Sequence, residues 1–175
     1  MEEMTEGYNA LENGVAWLDL SARGRIVARG RDRVRFLHNI TSNDVRKLTP
    51  GSSCYAFLLS PQGRIQADLY LLAFDDHFLI DTEPELREKV RQHILKYKVA
   101  DQVELEDVTA TTACLGVEGP GAEAIKSAIM RRGPGAVTDR ASALTGAGAA
   151  SRVRRLRVPA WALRALRSAP ARTRP

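Results

Sequence analysis

The sequence predicts an α+β domain with a largely antiparallel sheet and helices packed on it. Strand-like runs follow one another through short turns, which is the pattern of hairpins rather than of parallel crossovers. Helical periodicity appears between some of these runs, so the strands are interleaved with helices.

The elements can be justified in order. Residues 15–19 and 24–29 read as strands joined by the polar turn Ser21-Ala22-Arg23-Gly24. Asp32 is placed to cap a helix whose Val34, Phe36, Leu37 and Ile40 share one face. Thr41-Ser42-Asn43-Asp44 then offers side chains that compete for backbone hydrogen bonds and should break that helix. After the Pro50-Gly51 turn, residues 54–59 and 64–73 flank Ser60-Pro61-Gln62-Gly63 and form the clearest hairpin signal. A strand over residues 77–81 follows Asp75-Asp76. Thr82 as N-cap, Pro84 in the first turn and Glu85 make a capping box for a helix carrying Leu86, Val90 and Ile94. Strands over 103–108 and 113–117, and a helix after Gly119-Pro120, complete the pattern.

Charge divides the chain. The whole carries +5, yet residues 1–130 hold 15 basic and 20 acidic side chains. Residues 131–175 hold 11 arginines against the single acid Asp139. Thirty of these 45 residues are Ala, Arg, Gly or Pro, a composition too poor in large apolar groups to offset the entropy of ordering. Residues 131–175 are therefore expected to be a disordered Arg/Ala-rich tail, with at most a short basic helix over 156–166 interrupted by Pro159. Codons for these four residues can be built from G and C alone, so a shifted reading frame would yield the same composition. An intact frame on resequencing would exclude that.

No apolar run reaches the roughly 18 residues of a membrane-spanning helix, so no membrane role is expected. The acidic start, with no apolar core behind it, argues against a secretory signal. Cys54 and Cys114 form no CxxC pair and have no histidine cluster nearby. They read as reduced thiols in a cytoplasmic protein, and no metal site is expected. His38, His77 and His93 have no ligand spacing, and the Gly116–Gly121 stretch lacks the residues of a phosphate-binding loop.

Three stretches resemble one family. Phe36-Leu37 with Thr41-Ser42-Asn43-Asp44-Val45 is similar to the end of its first helix. Tyr55 followed by Gly63-Arg64-Ile65 and Ala67-Asp68 is similar to its aromatic-then-acidic hairpin. Leu115, Gly119-Pro120 and Ala122 are similar to the turn opening its next subdomain. The family is the folate-binding domain of glycine-cleavage T-proteins (aminomethyltransferases) and YgfZ-like proteins, and the resemblance covers residues 14–130. It implies a tetrahydrofolate-binding domain. T-proteins transfer a methylene group from an aminomethyl-lipoyl carrier to tetrahydrofolate, whereas YgfZ-like proteins serve iron–sulfur cluster assembly or repair. The Lys-Gly-Cys-aromatic-x-Gly-Gln-Glu motif of the YgfZ-like second half is absent. The resemblance thus implies the N-terminal part of a truncated domain, inactive alone in aminomethyl transfer. Ala67, in place of the first aspartate of the T-protein pair, favours the YgfZ-like reading. An aminomethyltransferase relative is the alternative. Nucleic-acid binding through the Arg-rich tail is a third, disfavoured by the acidic body.

Within the resemblance Asp68 matches the second aspartate of the pair and is the candidate catalytic residue. It would hydrogen-bond a pterin edge or move a proton at a folate amine. Tyr55 is placed to stack on a flat ring, and Arg64 to meet a glutamyl carboxylate. Thr82 or Asp81 falls where T-proteins carry a pocket asparagine, and Thr82 is the residue assigned to the substrate. Each also has a plain structural reading: a solvated strand carboxylate, a cross-strand aromatic, an exposed turn arginine and a helix cap. Strand alternation puts Ala67 on the face opposite Asp68, where an added carboxylate should matter little.

Overall fold

A computed structural model describes residues 2–122, 124, 138–139 and 154–159. The helix expected after Gly119-Pro120 lies mostly outside them, as does most of the segment expected to be a tail.

The α+β expectation holds. The chain runs α1 (Glu2–Asn13), β1 (Ala16–Asp19), β2 (Gly24–Arg29), α2 (Arg33–Ile40), β3 (Ser53–Leu59), β4 (Ile65–Ala73) and β5 (His77–Thr82). It continues through α3 (Arg87–Tyr97), β6 (Glu104–Asp107), β7 (Thr112–Glu118), β8 (Thr138–Asp139) and β9 (Arg154–Pro159). Among the described residues every strand pairing is antiparallel, in a five-stranded sheet ordered β3-β4-β5-β2-β6 and a four-stranded sheet ordered β1-β7-β9-β8. None of the described helices is long and apolar enough to cross a membrane.

The hairpin signal is realised as a tight turn. Gly63 donates its N–H to the Ser60 carbonyl at 2.8 Å and takes φ +75°, a conformation that other residues rarely adopt. From there β4 alternates strictly. Ala67, Leu69, Leu71 and Ala73 are buried, and Asp68, Tyr70 and Leu72 stand half-buried on the other side. The buried side meets α2 through Phe36 and Leu37 and α3 through Val90 and Ile94, in one core with Ile26, Ala56, Leu58 and Ile80. The spacing of Leu86, Val90 and Ile94 seen in the sequence is thus the core face of α3 and its lead-in. Ala67 belongs to this core. A carboxylate there would be buried without a partner, so the expectation that Ala67→Asp is harmless is corrected: it unsettles the fold.

Two expected caps are not made. Pro84 drives Glu83 into extended backbone (φ −63°, ψ 148°), so the chain passes through a 3-10 turn, Pro84–Leu86, before α3 begins. Thr82 is instead the last residue of β5, opposite Gly24 in the ladder. Asp32 stands at the start of α2, but its carboxylate accepts the Gln102 N–H at 2.8 Å rather than capping the helix.

Helix α1 is not among the elements expected from the sequence, although Met4, Tyr8 and Leu11 recur at helical spacing within it. Within the segment 131–175, expected to be mostly a disordered tail, the described residues 138–139 and 154–159 are strands. β9 pairs with β7 from Thr112↔Pro159 to Val117↔Arg154, and β8 pairs with β9. The composition argument concerned side-chain burial. A strand can be recruited through its backbone alone, by the edge of β7 that β1 leaves unpaired. Pro159 ends the strand, where a missing N–H costs little.

Candidate functional site

The face of the five-stranded sheet turned away from α2 and α3 gathers the chemistry. Cross-strand partners share a face, so Tyr55, Tyr70 and Asp81 form one row across β3, β4 and β5, and Phe57 and Asp68 the next. The Tyr55 ring lies 5.0 Å from Tyr70 and meets Phe57 edge-on at 5.3 Å, both within the range of favourable aromatic pairs. Its hydroxyl donates to Asp68 Oδ2 at 3.2 Å. The ring remains 40% exposed, so it can still take a planar ligand.

Beside this cluster sits an ion network. Arg23 Nε donates to Asp81 Oδ1 at 2.6 Å, and the same guanidinium reaches Glu83. Arg23 and Asp81 are both buried. Burial alone would make Arg23 easier to deprotonate, but Asp81 and Glu83 outweigh it and hold the guanidinium above its ordinary value. Three carboxylates (Asp68, Asp81, Glu83) stand against two arginines, Arg23 and Arg25, the latter the cross-strand neighbour of Asp81, and leave the region a slight acidic balance. It therefore favours a ligand edge rich in N–H donors over a phosphate.

Of the four residues assigned from the sequence, the structure joins two. Tyr55 and Asp68 share a face and a hydrogen bond. Thr82 lies in the sheet with no exposed surface, and its hydroxyl donates to the Asp68 carbonyl at 2.9 Å. It supports the backbone beneath Asp68 and caps no helix. Arg64 is exposed at the end of the hairpin turn, and none of the hydrogen bonds or ion pairs of the described residues ties its side chain to the cluster. Tyr70 was legible two residues beyond Asp68 but was not singled out. Asp81 was weighed against Thr82 and passed over. Arg23, read only as part of a turn, gave no sequence signal, because its partners lie about sixty residues away. Among the described residues no group of three or more His, Cys, Asp and Glu could hold a metal. Neither Cys54 nor Cys114 forms a disulfide among the described residues, and burial pushes the Cys54 thiol up, away from reactivity.

Burial, and then the Asp68 charge and hydrogen bond, raise the Tyr55 phenol above the ordinary tyrosine value. A raised phenol means that folding favours the protonated form. This contribution to stability is complete below the unfolded value of about 10 and is lost as pH rises through the folded one. In alkaline titration Tyr55→Phe should remove a late-ionising phenol from the absorbance curve. Removal of a phenol titrating at or below about pH 10 would contradict the assignment.

The family model described as "GCVT N-terminal domain" matches residues 1–156. A chloroplast protein of Arabidopsis thaliana named as a transferase is 32% identical over 123 residues, 70% of this chain and 28% of that protein. An aminomethyltransferase of Thermoanaerobacter sp. (strain X514) is 30% identical over 125 residues, 71% of this chain and 34% of that protein. The chain thus spans about a third of the length of the curated relatives it matches. The crystal structure of the glycine cleavage system aminomethyltransferase T from Bartonella henselae shares the fold, with a TM-score of 0.78 at 19% identity, over 93% of this chain and 46% of that one.

Proposed function

Because the chain belongs to the GCVT N-terminal domain family, we propose that it carries the tetrahydrofolate-binding sheet of an aminomethyltransferase-type protein, with Tyr55 and Asp68 at the ligand. The observation that carries this reading is the Tyr55–Asp68 pair, an exposed ring hydrogen-bonded to a half-buried carboxylate on one open face. The donor set fits a reduced pterin, which presents a planar ring and an edge of N–H groups. Tyr55 and Tyr70 offer aromatic surface. Asp68 uses Oδ2 for Tyr55 and has Oδ1 for a ligand donor. Arg23 fixes Asp81 and Glu83 beside them through its ion pairs.

Tetrahydrofolate would supply the nitrogens that accept a one-carbon unit. This chain's own contribution is to hold the ring flat, orient its edge and hold or hand over a proton at the Asp68 carboxylate. The aminomethyltransferase names of relatives support this reading over the YgfZ-like iron–sulfur one, which had been favoured on Ala67. Ala67 faces the core, so its identity says nothing about the ligand face.

Equilibrium titration with tetrahydrofolate tests the reading. Saturable binding that competes with folate and is lost in Tyr55→Ala is expected. No saturation up to millimolar ligand would overturn it.

A further inference from the structure

Strand β3 is an edge of the five-stranded sheet, and its two ring-bearing residues turn their backbones outward, away from β4. The Phe57 N–H goes to Ser42 Oγ at 2.9 Å, and the Phe57 carbonyl accepts the Ser42 N–H at 2.9 Å. The Tyr55 carbonyl accepts Asn43 Nδ2 at 3.0 Å. Tyr55↔Tyr70 and Phe57↔Asp68 are therefore the non-hydrogen-bonded pairs of the ladder. Such pairs bring side chains closest together but leave the backbone of both residues unheld by the neighbouring strand. The chain from Thr41 to Asn43 holds them instead, through a bridge between Thr41 and Leu58 as well. It is itself braced: Thr41 Oγ1 donates to the Leu37 carbonyl at 2.7 Å, and the Asp44 N–H donates to Asn43 Oδ1 at 2.8 Å. Arg46 and Lys47 flank the Asp44 carboxylate at 3.0 and 3.4 Å.

We propose that Asn43 and Ser42 are positioning residues for the ligand face, a latch that fixes the Tyr55 and Phe57 backbones and so holds the Tyr55 hydroxyl on Asp68. Both side chains are exposed and lie outside the core, so their conservation of fold is slight and their effect falls on the ring geometry. This inference rests on the folate reading for its functional consequence but not for its geometry.

The test uses Asn43→Ser, which is uncharged, leaves a hydroxyl acceptor beside the Asp44 N–H and is too short to reach the Tyr55 carbonyl, and Ser42→Ala. Each is compared with its double variant carrying Tyr55→Phe, so that the difference in phenolate absorbance isolates Tyr55. Both single variants should melt near wild type while Tyr55 ionises at lower pH than in wild type. Tetrahydrofolate affinity should fall about five- to tenfold, the effect of one lost hydrogen bond. A Tyr55 ionisation curve identical to wild type in both variants overturns the latch, whatever the ligand does. If wild type fails to bind tetrahydrofolate, the functional reading falls, and the tyrosine curves still decide the latch.

Discussion

Arg25→Met should lower the unfolding free energy by about 3 kcal/mol, roughly a hundredfold in the folding equilibrium. Arg25 sits in β2 of the five-stranded sheet with only 1% of its surface exposed. It reaches out of that sheet to the segments that flank β1 and β7. Its Nε donates to Thr112 Oγ1 at 2.7 Å. Its Nη2 donates to the carbonyls of Thr109, Thr112 and Ser21 at 2.8, 2.9 and 3.0 Å. Burial makes this guanidinium easier to deprotonate than usual, and fixed acceptors rather than an ion pair keep it in place. Methionine would fill much of the volume, yet it would strand several buried acceptors, and the two sheets would lose their fastening. Arg29→Met is the control. Arg29 pairs with Asp76 on the exposed surface at 2.6 Å, and its loss should cost less than about 1 kcal/mol. Denaturant unfolding of both variants compares them; equal midpoints would contradict the role given to Arg25.

Asp68→Asn should weaken tetrahydrofolate binding by roughly ten- to a hundredfold, which corresponds to about 1.5–3 kcal/mol for a charge-assisted hydrogen bond. Asparagine can still accept from the Tyr55 hydroxyl, so the local hydrogen bond survives and the melting temperature should barely move. What goes is the negative charge and one of the two acceptors that a donor-rich ligand needs. Arg64→Ala sets the baseline. Its side chain is exposed on the hairpin turn, apart from the cluster, and its removal should change affinity less than about twofold. A parallel loss in both variants would point to long-range charge instead of a contact at Asp68. Calorimetric titration of the three proteins separates these outcomes.

Much of the fold was legible because it depends on local rules. Pro61 and Gly63 fix the hairpin turn, period-two alternation in β4 separates Ala67 from Asp68, and the spacing of Val90 and Ile94 marks the core face of α3. Alternation within one strand does not decide which residues of β3 join Asp68; the register of the hairpin does, and it puts Tyr55 on the same face. Where sequence reasoning failed, a tertiary contact had overridden a local preference. Thr82 has the residue type and spacing of a helix cap, but pairing with Gly24 draws it into the sheet and Pro84 holds the next residue extended. Arg23 and Arg25 look like turn and strand arginines until residues about sixty or ninety positions away close on them. β9 was hidden because its pairing with β7 uses the backbone, which composition does not report.

The most direct test of the ligand face is to follow backbone amide resonances of the isotope-labelled chain as tetrahydrofolate is added. Shifts should concentrate on Tyr55, Phe57, Asp68, Tyr70 and Asp81 and saturate together, leaving Val90 and Ile94 of the helical side unmoved. Shifts centred on α2 and α3, or none at millimolar ligand, would contradict the assignment of this face.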